Sequence, residues 1–352
     1  MAAPRRLRRP RPPVTPRALR AAAVLPALAV ALVVVVVAGV TLAGGSITWT
    51  GTIRSIGSHL GLPVTPLSPL ADSVVWQLRL PRVLLAAAAG AGLAVCGCVL
   101  QAVTRNVLAE PYLLGISSGA STGAVLVIVL GIGAGSVTLA GGALVGGLVS
   151  FALVFALMGR DTADTSRVVL TGVVVGQLFA AVTSLVVTAW GDADATRGIT
   201  YWLLGSLAAA RWPSVVVCVT VVAVATAVFV LVAPALDAFA FGHDAAVSLG
   251  IDVRSLRLTV LVGAAATTAA VVAAVGAIGF VGLVVPHAAR MLVGPGHRLL
   301  LPVSALGGGV FLVLADLVGR LVLAPHQIPV GVVTALIGVP VFLVVLRRGR
   351  RA

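Results

Sequence analysis

Residues 236–290 read LDAFAFGHDAAVSLGIDVRSLRLTVLVGAAATTAAVVAAVGAIGFVGLVVPHAAR, and the fold class turns on them. Only 10% of the 352 residues are charged, yet Asp237, Asp244, Asp252, Arg254 and Arg257 crowd the first half of this stretch. The local pattern is helix, glycine, helix. His243 to Leu249 suits two short turns, Gly250 a left-handed cap, and Asp252 the N-cap of the helix that follows. A polar elbow of this kind, set between long apolar segments, belongs in water beside a bilayer. Residues 236–257 have the character of a docking element for another protein; the same spacing also suits an ordinary connecting loop.

Working outward, composition sets the class. Hydrophobic residues make up 60% of the chain and the mean hydropathy is +1.16, against about 45–50% apolar residues in soluble domains. Such a chain cannot cover a water-facing surface with polar groups, so it is an all-α polytopic membrane protein. The formal charge of +14 comes from arginines scattered at segment ends, without the aromatic-basic patch of a nucleic-acid binder. The chain has no lysine, so it carries no GxxxxGK[ST] phosphate loop, and any ATP it uses is hydrolysed by a partner. Cys96, Cys98 and Cys218 lie inside apolar runs and read as small packing residues. His59, His243, His287, His297 and His326 show no HExxH or Cys/His spacing, so no metal site, cofactor or catalytic group is expected.

In chain order, residues 1–20 form an Arg/Pro-rich tail expected to be disordered. The apolar run 21–43 is long enough to cross a hydrocarbon core, and it exceeds a signal-peptide core and lacks a clear A-x-A site, so it reads as an uncleaved first span. A polar connection with Pro63, Pro66 and Pro69 covers 44–78. Apolar runs near 83–104, 113–132, 137–158, 168–189, 213–233, 257–277, 279–293, 299–323 and 330–346 bring the expected total to about ten spans, in one transmembrane domain over 21–348 with a short tail at 349–352. The pairs Gly115/Gly119, Gly142/Gly146 and Gly172/Gly176 allow helices to approach closely. With the N-terminus inside, 18 of the 24 basic residues fall on the inner side and 6 outside, so the positive-inside bias places both termini and the elbow in the cytoplasm.

Three stretches carry a resemblance to a known family. They are LRLPRVLLAAAAGAGLAVCGCVLQAVTRNVLAEPYLLGISSGAS (78–121), GFVGLVVPHAARMLVGPGHRLLLPVSAL (279–306) and PVGVVTALIGVPVF (329–342). Together they resemble the FecCD/BtuC-like family of ABC importer permeases, which take up iron–siderophore complexes, haem or vitamin B12. The likeness runs from about Trp76 to Arg348. It implies the type II importer permease fold: ten helices per subunit, a second permease subunit, two cytoplasmic ATPase subunits beneath, and an extracytoplasmic substrate-binding protein above. It also implies a place in the bacterial cytoplasmic membrane. Ferric siderophore is the substrate expected through the family's prevalence, with haem or vitamin B12 as alternatives.

The resemblance also assigns residues. The segment Phe241–Ile251 matches the family's coupling helices, so Phe241, Gly242, His243, Asp244, Ser248, Leu249 and Gly250 are expected to couple to the ATPase. His243 stands where an acid is usual, and Val247 replaces a usual Arg. Thr165 and Ser166, in DTSR (164–167), match a cytoplasmic gate; a Ser/Thr helix cap is the plain alternative. Arg79, Arg82 and Arg320 match arginines that receive carboxylates of the binding protein. Each also suits a snorkelling arginine at a span end, and Asp316 is placed for a local i,i+4 pair with Arg320. Val107 replaces a usual proline, and Gln327 a common acid.

On this reading the chain does no bond chemistry: ATP binding closes the partners, the elbow transmits the motion, and the spans alternate between outward and inward access. A secondary transporter would show an intramembrane acid as its coupling site, and an intramembrane enzyme would show a clustered nucleophile or metal ligands.

Overall fold

The computed structural model describes residues 16–42, 47–131, 138–158, 165–239 and 243–349, and within them the side chains other than those of 16–22, 165–166, 243–245 and 345–349. The regular elements of the described residues are helices. Helix α1 (Pro16–Thr41) is followed by α2 (Trp49–His59), α3 (Pro69–Ser73) and α4 (Leu80–Thr104). Then come α5 (Ile116–Leu130), α6 (Leu139–Met158), α7 (Thr165–Trp190), α8 (Ala193–Leu203) and α9 (Trp212–Leu231). The chain closes with α10 (Ala233–Phe239), α11 (His243–Ser248), α12 (Val253–Val275), α13 (Val281–Val293), α14 (His297–Leu321) and α15 (Val330–Gly349). Among the described residues, seven helices are long and apolar enough to cross a bilayer, and three shorter apolar ones cover 116–130, 281–293 and 330–344. These ten match the ten runs read from the sequence.

The stretch 44–78 departs from the expected polar connection. Ser68 caps α3 through its hydroxyl, with Pro69 at the first helical position, where its missing N–H costs nothing. The helix then continues through a π-helical turn, Val74–Arg79, directly into α4, so one continuous helix runs over Pro69–Thr104. Before it, α2 is capped by Thr48 and buries Gly51, Thr52, Ser55 and Gly57, while Trp49, Ile53 and Leu60 stay exposed.

Helix α4 is the axis of the bundle, packed against α14, α9, α12 and α13. Lipid tails are as apolar as leucine, so close backbone packing has to hold such helices together. A Cβ on Gly90 would stand 2.1 Å from the Gly308 carbonyl oxygen, and one on Gly97 would stand 1.9 Å from that of Gly282. The glycine pairs read from the sequence meet in the same way: a Cβ on Gly119 would lie 2.4 Å from Gly146 O and one on Gly123 2.1 Å from Gly142 O, while Gly172 abuts the Leu113 carbonyl. Helices α5, α6 and α7 thus form a second tightly packed unit beside α4.

Helix α13 is short because its start is sunk into the bundle. Gly282 packs against Leu93 and Gly97, half-way along α4, so the non-helical segment 276–280 lies among packed helices. Irregular backbone at such depth must be hydrogen-bonded by protein. The Tyr112 hydroxyl donates to Ile278 O and accepts from Ile278 N, both at 2.7 Å. Phe280 N donates to Glu110 Oε1 at 2.6 Å, and Ser206 N donates to Val275 O at 2.9 Å. Gln101 then bridges α4 to α13, donating to Gly282 O and accepting from Arg290, both at 3.2 Å.

Candidate functional site

Three places expected from the sequence lie at the two ends of this bundle. At one end is the elbow. α10 is anchored by Leu236 and Phe239, which are fully or almost fully buried, and Phe239 lies under the Arg257 guanidinium at 5.8 Å. α11 is anchored by Ala246, while Val247 and Leu249 stand 52% and 68% exposed. Gly250 takes the left-handed conformation at φ 77°, which spares a Cβ clash. Asp252 caps α12, accepting from the Arg254 and Ser255 amides at 3.1 Å each. The expected helix–glycine–helix pattern is therefore present, with α10 as a further short helix before it. Of the coupling residues, Ser248, Leu249 and Gly250 are exposed. Phe241 and Gly242 lie outside the described residues, as do the side chains of His243 and Asp244. Val247 and Leu249 thus form a small exposed apolar patch at this end of the bundle.

The expected gate pair, Thr165 and Ser166, opens α7; Asp164 lies outside the described residues. Val168, one turn further, is buried in the same cluster as Val103 and Leu236. The start of α7 thus stands at the elbow end of the bundle.

At the far end the three expected docking arginines meet. Arg79, Arg82 and Arg320 line one cavity of about 270 Å³, together with Gln327. Their surroundings are more elaborate than the local i,i+4 pair the sequence offered. Arg320 Nε does lie 3.0 Å from Asp316 Oδ2. Arg82 reaches the same acid from α4, with Nη2 2.9 Å and Nε 3.1 Å from Oδ1, and its Nη1 donates to Gln327 Oε1 at 2.8 Å. Arg79 Nη1 donates to Val40 O at 3.0 Å. One carboxylate therefore holds two guanidinium groups from two helices. Their side chains are buried to different degrees: 14% of Arg82, 6% of Arg320 and 2% of Asp316 remain exposed. Among the described residues, three arginines stand around one acid here. Arg79 and Arg82 are within reach from outside, and Arg320 stands behind them.

Sequence reasoning missed two polar joints. Asp237 accepts from the His297 amide at 2.9 Å, and its Oδ1 lies 2.6 Å from His297 Nδ1. Glu110 and Tyr112 hold the sunken 276–280 segment. In each case the signal was an acid or a tyrosine in an apolar setting, which has to find a partner. Glu110 is also an acid set among the helices, partly buried, and its Oε1 is spent on the Phe280 amide of a structural turn. Among the described residues no group of His, Cys, Asp and Glu is placed to hold a metal ion.

The model of the FecCD transport family matches residues 27–348. The cobalamin import system permease protein BtuC of Halobacterium salinarum is 41% identical over 314 residues, covering 88% of this chain and 82% of its own length. The hemin transport system permease protein HmuU of Yersinia pestis is 38% identical, covering 78% of this chain and 84% of its own. A solved structure of an inward-facing transporter assigned to the metal-chelate type of ABC transporter superposes with a TM-score of 0.80 at 31% identity, over 93% of this chain and 99% of that one. Ten apolar helices, a polar elbow and a match over nearly the whole membrane region make this chain a member of the FecCD transport family, the permease subunit of an ABC importer in the cell's inner membrane.

Proposed function

We propose that this subunit forms one half of the translocation path for a large metal chelate, with ferric siderophore as the first reading. A second, identical or related, permease subunit supplies the other half. Two ATPase subunits engage the elbow through Val247, Ser248, Leu249 and the neighbouring His243 and Asp244. A substrate-binding protein delivers its ligand to the far end, where its carboxylates meet Arg79 and Arg82 with Arg320 behind them. Both termini and the elbow lie in the cytoplasm, in keeping with the arginine distribution. Thr165 and Ser166, at the start of α7, narrow the path on the elbow side.

What supports this reading is the presence of two features of opposite character at the two ends of one bundle: an exposed apolar patch on the elbow and an arginine-lined cavity. Cobalamin or haem is the second reading, favoured by what the 41% and 38% identical relatives are named for. The test is reconstitution of the permease with its ATPase and binding protein in proteoliposomes. ATP-driven accumulation of a ferric siderophore, and competition by unlabelled siderophore but not by cobalamin or haem, is the expected outcome. Accumulation of cobalamin alone would overturn the first reading in favour of the second. Uptake that ignored ATP and collapsed with the proton gradient would overturn both.

A further inference from the structure

We propose that Asp237 is a positioning residue of the transport cycle, which acts through His297 to join the elbow to α14. The inference rests on the importer reading above and goes beyond it, because that reading says where the ATPase docks and not how its movement enters the spans.

The geometry is specific. α14 begins at His297, and Gly296 before it has no side chain with which to cap the helix. The acid that serves the first amide comes from α10 instead, 60 positions earlier in the chain: His297 N donates to Asp237 Oδ1 at 2.9 Å, and His297 Nδ1 lies 2.6 Å from the same oxygen. The His297 side chain is only 9% exposed. Asp237, Gln101, Arg105 and Arg290 line one cavity of about 520 Å³ with His297. Arg290 donates to Gln101 Oε1 at 3.2 Å, whereas the bonds that Asp237 makes go to His297. The neighbours of Asp237 on α10, Leu236 and Phe239, share one buried cluster with Leu300 and Leu301 of α14. α10 is thus fixed to the first turn of α14 by a polar joint and a packed one.

At its other end α14 carries Asp316, which binds Arg320 of the same helix and Arg82 of α4. Its 25 residues rise about 37 Å, and half-way along it Gly308 lies against Gly90 of α4, too close for any side chain. Pro302 interrupts the ladder of α14 after its first turn, so displacement of α10 acts on that turn directly and passes onward through Leu300 and Leu301. One helix therefore connects the elbow to the arginine cavity, and Asp237 is its attachment at the elbow end. A group with this task alters how much transport each hydrolysed ATP yields, because it links two events without taking part in either.

The experiment uses the full complex of permease, ATPase and binding protein in proteoliposomes, and reads substrate imported per ATP hydrolysed. Asp237→Ala is expected to lower that ratio about tenfold, within the range of ordinary coupling energies. Asp237→Asn keeps an acceptor for the His297 amide and should retain most of the ratio. His297→Ala should fall as Asp237→Ala does, and the double variant should fall no further, since the two side chains form one joint. A ratio in Asp237→Ala equal to that of the unaltered complex would overturn the proposal, as would import and hydrolysis declining in step. Should alanine at 237 lower assembly, Asp237→Asn against His297→Ala carries the same comparison, and equal ratios in the two would overturn it. Failure of the importer reading is separate: the unaltered complex would then show no ATP-driven import at all.

Discussion

Replacing Asp316 by asparagine removes the acid that, among the described residues, holds Arg82 and Arg320 together, and the structure sets the size of the effect. Asp316 is 2% exposed, Arg320 6% and Arg82 14% in their side chains, so solvent screens little of what is lost. An asparagine keeps the shape and one acceptor but leaves two guanidinium groups side by side without a counter-charge. Breaking a buried pair at one partner costs about 3–5 kcal/mol, whereas replacing a whole buried group of charges with apolar residues is often neutral or stabilising by ~1–4 kcal/mol. Purified permease carrying Asp316→Asn should therefore unfold roughly 6–10 °C below the unaltered protein, taking about 2 °C per kcal/mol, the low end of the range, for a chain of this length. The triple variant Arg82→Met, Asp316→Leu, Arg320→Met should recover most of that loss.

Transport then separates the two roles of the cluster. The triple variant should be stable yet defective in import and in binding-protein affinity at low salt, because the cavity keeps only Arg79 of its three arginines. A single Asp316→Asn variant that melted within about 1 °C of the unaltered protein would refute the account of the triad as one buried unit. A triple variant that bound the binding protein normally would instead remove the docking role of Arg82 and Arg320.

Other expectations follow from the same geometry. Bulky basic residues at Asp244 and Leu249 should abolish co-purification of the ATPase while the permease keeps its melting temperature; normal co-purification and import would refute the docking role of α11. Cysteines at Thr165 or Ser166 in a homodimer should crosslink across the path in one nucleotide state more than another, and crosslinking that ignored nucleotide would count against the gate. Gly90→Leu should prevent accumulation of folded permease, since even its Cβ would stand 2.1 Å from the Gly308 carbonyl oxygen in backbone that cannot move aside, whereas Gly61→Ala, where a Cβ would meet nothing but φ is +76°, should cost no more than about 1–2 kcal/mol. Equal yields of the two variants would refute the close approach of α4 and α14.

What the sequence revealed and what it hid differ by the range of the interaction. The ten spans were legible because each is a run of apolar residues, and the helix–glycine–helix elbow because caps act within four positions: Asp252 on the Ser255 amide, Gly250 at the end of α11. The extension of α4 back to Pro69 escaped notice, since a proline-rich stretch reads as a break although Pro69 occupies the one helical position that tolerates it. The sunken start of α13 was also hidden. Its apolar run looks like any short span, and its depth is fixed by Tyr112, 166 positions from Ile278 in the chain.

The acids show why the long-range joints were missed and how they announce themselves. The chain has 24 basic residues and only 10 acidic ones, so an arginine is unremarkable and an acid is informative. Asp192 and Asp252 cap helices, and Asp194 pairs with Arg197 along a helix face; these are local. Asp72 bonds Ser55, Glu110 the Phe280 amide, Asp237 the start of α14 and Asp316 the Arg82 fork; these join separate elements. An acid left unpaired among packed helices costs several kcal/mol, so each acid beside or within an apolar run predicts a donor brought from elsewhere. It does not predict which one: Asp316 could be given Arg320 from spacing alone, but Arg82 lies 234 positions away, and only the antiparallel contact of α4 with α14 at Gly90 and Gly308 sets the register that brings them together. In a chain this poor in acids, where a carboxylate falls is evidence of a joint between elements, and the helix that carries two such joints, α14, is the one that spans from the elbow to the arginine cavity.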